Sequence, residues 1–325
     1  SCGLSLELAV SASKKLNIEN IENPNLVLDL LRTHGLTQNQ IRHLISNRPL
    51  LLSADLGKTL RPNMELFKSL GFSGASLAKL LSKEPYILGR SLENQIIPCV
   101  QKLKRILGTD DNVLKAVKAR FSLVEFNVET VLQPNISILL SHGVPNSLVV
   151  KIFVMEPRSL LMRTYRFSEI VNEVMKLGFN PNNLLFVLAI RSMALMSKAL
   201  WEKKVEAFRS FGLSKDEIDS AFRLQPMCMI TSEKKIMKVM GFFVNNLKMK
   251  PSIISKCPNL LLLSLEKRII PRCSVLQLLM SKGLIKEDTR ILHTFRMTEK
   301  TFVEKLVKKY QNEVPDVIRA HQGKI

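Results

Sequence analysis

Aromatic side chains are scarce in this sequence. They make up 6% of 325 residues, with a single Trp and three Tyr. With 13 Gly, 14 Pro and 46% hydrophobic residues, the composition excludes an extended disordered chain and argues against an all-β protein. Cysteines are few and odd in number: Cys2, Cys99, Cys228, Cys257 and Cys273. No pair has Cys-x-x-Cys spacing, so neither a disulfide framework nor a thiolate metal site is expected, and a reducing interior fits better. Cys228, Cys257 and Cys273 sit among apolar neighbours and read as small core residues. No apolar run reaches the ~18–20 residues needed to cross a bilayer, and the longest candidate spans 259–265, so membrane insertion is not expected. The five histidines (His34, His43, His142, His293 and His321) are scattered, and none belongs to a His-Glu-x-x-His motif or a recognisable triad. A Gly-x-x-x-x-Gly-Lys loop is also missing. With no reacting constellation, the expectation is no enzyme, no metal and no cofactor.

Acidic residues are outnumbered, 28 against 48 Lys and Arg, which gives a net charge of +20 and a pI near 9.9. The excess is uneven: residues 1–150 hold 17 basic and 12 acidic side chains, residues 151–325 hold 31 and 16. Such a field favours polyanions, nucleic acid first and anionic membrane second.

What the sequence does have is a repeat of about 35 residues. Pro49, Pro85, Pro157, Pro226 and Pro258 each precede a hydrophobic cluster, such as Arg48-Pro49-Leu50-Leu51-Leu52 and Glu84-Pro85-Tyr86-Ile87-Leu88. Two units lack the proline: one falls at 121–124, with Ser122 in the proline position, the other at 191–195. A second landmark agrees. Gly35, Gly71, Gly108, Gly143, Gly178 and Gly212 follow at intervals of 34 to 37 residues, with Lys248 and then Gly283 in the next two positions. Each closes an apolar-periodic stretch and reads as a helix C-cap. A third column, Pro62, Pro98, Pro134 and Pro271, reads as the first turn of a helix. The unit is then a helix from near Pro62 to Gly71, a turn, and a second helix over 75–83 that Pro85 stops. Leu77, Leu80 and Leu81 follow helical spacing, as do Ile41, Leu44 and Ile45, and Leu148, Ile152 and Phe153; all are predicted core.

This pattern resembles the mitochondrial transcription termination factor (mTERF) family over about residues 25–310. The motif Ser91-Leu92-Glu93-Asn94-Gln95-Ile96-Ile97-Pro98 recurs as Ser264-Leu265-Glu266-Lys267-Arg268-Ile269-Ile270-Pro271, and residues 295–302 look like the closing segment of plant members. The resemblance implies an all-α, right-handed superhelical solenoid of about eight two-helix repeats, each with a short 3-10 turn. It implies nucleic-acid binding in an organelle, with the mitochondrion the first expectation and the chloroplast the second. Residues 1–24 are taken as an N-terminal segment, for which a removed targeting peptide is one source, and 311–325 as a C-terminal tail. A monomer is expected.

A phosphate track needs one cation per unit at a fixed position. One candidate column lies just before the cluster: Arg48, Lys83, Arg120, Arg223 and Lys256. Another lies five or six residues after it: Arg90, Arg163 and Lys198. Arg158, Arg166, Arg191, Lys267, Arg268 and Arg272 are near, and Tyr165 and Trp201 are candidates for base stacking. Any one of these cations could instead complement a helix C-terminus. The expected ligand is double-stranded DNA, in transcription termination or its regulation. RNA binding in intron splicing, and a protein-binding solenoid, are the alternatives.

Overall fold

A computed structural model describes residues 2–16, 21–286 and 291–324, and these hold helices and turns but no strand. The chain divides into two compact bodies, Ser1–Glu169 and Ile170–Ile325. In the first, α1 (Leu6–Ser13) precedes four helix pairs: α2 (Glu22–Thr33) with α3 (Gln38–Asn47), α4 (Arg61–Ser69) with α5 (Gly74–Lys83), α6 (Ile97–Leu107) with α7 (Asp110–Ala119), and α8 (Gln133–Ser141) with α9 (Asn146–Met155). Tight turns close the pairs at Pro49–Ser53, Ile87–Gly89 and Phe121–Glu125, and the short α10 (Pro157–Leu160) closes the fourth. The boundary between the bodies falls inside α11 (Thr164–Lys176), which is followed by α12 (Leu184–Ala194). The second body continues with α13 (Lys198–Arg209) and α14 (Lys215–Leu224), α15 (Glu233–Gly241) and α16 (Ser252–Lys256), and α17 (Ile270–Ser281) and α18 (Ile291–Arg296). The last two helices are α19 (Glu299–Phe302) and α20 (Asp316–His321).

The predicted stripes are the core. Ile41, Leu44, Ile45, Leu77, Leu80, Leu81, Leu148, Ile152 and Phe153 are all buried. Consecutive second helices pack on each other, α3 on α5, α7 on α9, and α14 on α16. Local chemistry starts each one: Thr37 and Ser214 form capping boxes with Gln40 and Glu217, and Thr109 caps the helix that begins at Asp110. The glycine column is left-handed throughout, and Lys248, at φ 54°, is the one non-glycine residue there among those described. A left-handed L-residue costs about 1–2 kcal/mol, of which the extra freedom of an unfolded glycine offsets part. Lys248→Gly is therefore expected to stabilise the protein by about 0.5–1 kcal/mol, read as a higher urea midpoint; an unchanged or lower midpoint would contradict the assignment.

Four features differ from the sequence expectation. Pro62, Pro98, Pro134 and Pro271 stand in the first turn of α4, α6, α8 and α17 as expected, but the helical backbone begins before them. A π turn precedes each, at Leu56–Leu60, Leu92–Ile96, Val128–Leu132 and Leu265–Ile269, and runs straight into the α-helix. Proline has no N–H to donate, and the widened turn takes up the break: Leu60, Ile96 and Ile269 donate five residues back, to Asp55, Ser91 and Ser264. Next, Phe121, not Ser122, holds the proline position. Arg120 caps α7 as Arg48 caps α3, and Leu123 N donates to Arg120 O as Leu51 N does to Arg48 O. In the fifth repeat no turn forms at 191–195, because α12 runs through to Ala194. Finally, the stretch 311–325, expected to be a C-terminal tail, holds a docked helix in its described part: α20 packs on α17, and Val317 and Ala320 are buried with Val275 and Leu279.

In most repeats a clamp binds the first helix to the turn that closes its own repeat. Asn63 Nδ2 donates to Leu88 O and Arg90 O at 3.0 and 3.2 Å, and Asn135 Nδ2 to Leu160 O and Met162 O at 2.9 Å each. Asn23 makes the same pair of bonds to Leu52 O and Ala54 O. At Cys99 the donor is the thiol, to Leu123 O and Phe126 O, and burial pushes its pKa up to about 11, which keeps the proton in place. In the second body cations take the role. Lys204 Nζ, buried, donates to Met229 O, and Lys235 Nζ to Leu262 O.

Candidate nucleic-acid interface

The candidate cations fall into three groups. Lys83 and Lys256 end α5 and α16, Arg223 lies in the last turn of α14, and Arg158 is in α10; all four are exposed. Arg90, Arg163, Lys198 and Lys267 are exposed at the starts of first helices. Arg90 follows a 3-10 turn whose backbone Asn63 pins, and Lys198 follows the N-cap Ser197. The clamps thus hold the backbone rigid while long side chains reach into water. The two kinds of position are the C-terminal ends of second helices and the N-terminal ends of first helices. At the second kind no helix-dipole explanation for a cation applies, since the dipole there favours anions.

The second group is half-buried and already engaged. Arg48 Nη1 donates to Tyr86 O at 2.6 Å, and its guanidinium lies 5.2 Å from the Tyr86 ring centre. Gly89 leaves room for it, because a Cβ there would lie 1.9 Å from Arg48 Nη2. Burial lowers the Arg48 pKa from its usual value. Arg120 is half-buried within electrostatic reach of Glu84, whose pKa burial and Glu125 raise while Arg120 and Lys83 pull it down. The capping position before the closing turn therefore reads Arg48, Glu84, Arg120, Glu156 in successive repeats. This column alternates in sign and is not a continuous cationic track. Arg166 pairs with Glu169 at 3.0 Å. Arg191 is half-buried near the end of α12. Arg268 donates to the backbone carbonyls of Arg296 and Met297.

Arg272 forms the third group and is removed from the candidate contacts. Its side chain is 1% exposed. Nη1 donates to Thr294 O, Phe295 O and Met297 O, and Nη2 to Glu299 Oε2 at 2.7 Å. It occupies the clamp position, directly after Pro271, as Asn63 and Asn135 directly follow Pro62 and Pro134.

The aromatic candidates separate. Tyr165 is 64% exposed in the first turn of α11, between Arg163 and Arg166 in sequence. Trp201 is half-buried and meets Phe222 edge-on at 5.0 Å. Tyr86, with Arg48 against it, is 55% exposed. Three lysines that the columns missed, Lys234 and Lys235 at the start of α15 and Lys238 in its last turn, lie beside Ser264 and Glu266 of the next repeat. The basic run after the N-cap Ser232 was the available signal. His34 and His142 meet the carbonyls of Leu30 and Ile138 at 2.8 Å, as expected of imidazoles next to a glycine cap. Among the described residues no three His, Cys, Asp or Glu side chains are grouped to hold a metal ion, and no single helix is long and apolar enough to cross a membrane.

These features define an all-α helical-repeat protein with solvent-facing cations at both kinds of helix end. The sequence profile of the mTERF family matches residues 28–196 and 190–303, and the chain belongs to that family. It is similar to the mitochondrial transcription termination factor MTERF15 of Arabidopsis thaliana, with 23% identity over 253 residues, 76% of this chain and 55% of that protein. It is also similar to the chloroplastic transcription termination factor MTERF8 of the same plant, with 24% identity over 177 residues, 54% of this chain and 35% of that protein. The chain thus spans about half or less of the length of these curated relatives.

Proposed function

We propose that this chain is an organellar nucleic-acid-binding protein that regulates gene expression, with double-stranded DNA as its ligand and transcription termination or its regulation as the process. The observation that carries the reading is the set of exposed cations at first-helix starts, Arg90, Arg163, Lys198 and Lys267, where the helix dipole gives no reason for them. Lys83, Arg158, Arg223 and Lys256 extend the set. Family membership and the names of both relatives support the process, and the more extensive match, to the mitochondrial relative, favours that organelle. The binding unit in this reading is one chain, and no reaction is assigned to it.

A salt series on binding to duplex DNA and to single-stranded RNA tests the ligand. Duplex binding is expected to fall on a log–log line with a slope of about −0.9 per phosphate contact. Loss of salt dependence, or no binding to either, would overturn the reading; a preference for RNA would turn it toward splicing. The triple variant Arg90→Ala, Arg163→Ala, Lys198→Ala is expected to bind all duplex sequences more weakly, with a slope flatter by up to about 3. An unchanged slope in the folded variant would remove these three from the interface.

A further inference from the structure

Three cavities in this protein occupy one register. Each lies between the first helix of one repeat and the start of the next first helix. One is lined by Lys58, Asn63, Arg90 and Ser91, a second by Lys102, Cys99 and Asn127, a third by Lys234, Lys235, Lys238 and Ser264. The repeat thus builds the same notch more than once, with a clamp residue or cation on one wall and the N-cap of the next helix on the other.

The notches differ in charge. In the second, Lys102 is held by Glu129 at 2.7 Å, and that hydrogen bond lowers the Glu129 pKa. Glu125 also lines it, so no uncompensated cation is left there. The third notch holds three lysines against one carboxylate. Lys235 is committed to Leu262 O, and Lys238 stands 3.7 Å from Glu266, a loose pair between side chains 55% and 65% exposed. Such a pair is weak and is readily exchanged for a stronger anion. Lys234 has no ion-pair partner among the described residues. On the opposite wall the Ser264 side chain caps the next helix start by accepting from Lys267 N, and the cavity, about 440 Å³, has room for a phosphodiester group.

We infer that the notch between the seventh and eighth repeats, formed by Lys234, Lys238 and the Ser264 helix start, is a phosphate-binding site for one backbone phosphate of a nucleic acid, and that the equivalent notch at Lys102 is not. This rests on the nucleic-acid reading above and locates a contact that the cation columns do not contain. Two ammonium groups converge on the phosphate from one wall, and the backbone N–H groups of the next helix start face it from the other. Glu266 swings away from Lys238 when the phosphate enters.

The test uses the full chain and two readouts. In the first, Lys234→Gln with Lys238→Gln is compared with Lys305→Gln with Lys308→Gln, two exposed lysines of the same body, and with Lys102→Gln. The notch pair is expected to lower duplex affinity about tenfold at low salt and to flatten the salt slope by about 1, the signature of one phosphate. The distant pair and Lys102→Gln are expected to leave the slope in place. Equal effects from the notch pair and the distant pair would mean that only net charge matters, and would overturn the inference. In the second, the labelled protein is titrated with inorganic pyrophosphate and its amide resonances are followed. Saturable shifts at 264–267 in the wild type, lost in the notch pair, are expected. Their absence from the wild type overturns the notch whether or not nucleic acid binds. If pyrophosphate binds there and neither duplex nor RNA binds, the notch stands and the nucleic-acid reading falls.

Discussion

Asn135→Leu is expected to destabilise the first body by about 3 kcal/mol, although the two side chains are similar in size. Asn135 is fully buried, and both of its amide N–H groups are in use, on Leu160 O and Met162 O. Leucine fills the space but donates nothing. Two carbonyls at the closing turn then lose their partner, and each buried orphan costs about 1–3 kcal/mol. The Asn135 oxygen has no hydrogen-bond partner, so the effect comes from the donors alone. Aspartate, which keeps the shape but offers only acceptors when ionised, is therefore expected to be at least as damaging as leucine. Because an array need not unfold in one step, the measurement is hydrogen exchange at 157–167 beside urea unfolding. Protection there should fall before protection of α3 and α5 does. A leucine variant within 0.5 kcal/mol of wild type, or an aspartate variant more stable than it, would show that the clamp is not what holds the turn.

This clamp marks where reading the sequence stopped short. The two-helix unit was legible because its punctuation is strong: prolines, glycines and apolar triplets recur at one spacing, and each has a single backbone meaning. Even the exception was legible, since Lys248 sits where the glycine period requires a left-handed residue and adopts that conformation. The clamp column was not legible, because its chemistry changes from repeat to repeat. Asn63 and Asn135 lie 72 residues apart directly after prolines, but Cys99 fills the position between them, and Arg272 fills it later. An amide, a thiol and a guanidinium share only the ability to donate to a carbonyl. The π turns were hidden for a related reason: a proline after a polar stretch signals a helix start equally well, and only the bonds that reach five residues back show that the helix has already begun. The cation columns were half legible. Sequence placed them at helix ends but could not separate exposed Arg90 from engaged Arg48, because that depends on the neighbouring turn, where Gly89 admits the Arg48 guanidinium.

Arg272 is a cation whose position suggests a phosphate contact and whose surroundings give it a structural role. Charge and position made it a candidate phosphate contact, yet its guanidinium serves the last repeat. It donates to three carbonyls around α18, contacts the face of Phe302 at 4.5 Å, and pairs with Glu299. Glu299 also accepts from His321 Nε2 at 2.7 Å, and His321 stacks on the same Phe302 ring. A single chain of contacts thus runs from α17 through α19 to α20. Burial alone would raise the Glu299 pKa, but the hydrogen bonds from Arg272 and His321 outweigh it and the pKa is lowered. A depressed carboxylate stabilises the fold above its unfolded pKa of about 4.3, and that contribution is lost as pH falls through the lower folded value, so the chain of contacts should loosen only in acid. Arg272→Met keeps the length and removes the donors. It is expected to cost about 3–5 kcal/mol, because the Thr294 and Phe295 carbonyls lose their donor and each buried orphan costs about 1–3 kcal/mol. The loss should appear as early hydrogen exchange in α20 and at 294–302, with α3, α5 and α7 unaffected. At a salt concentration where the last repeat stays folded, the salt slope of nucleic-acid binding should not change, since no phosphate contact has been removed. A slope flattened by about 1 with full protection of α20 would reverse the assignment and return Arg272 to the interface.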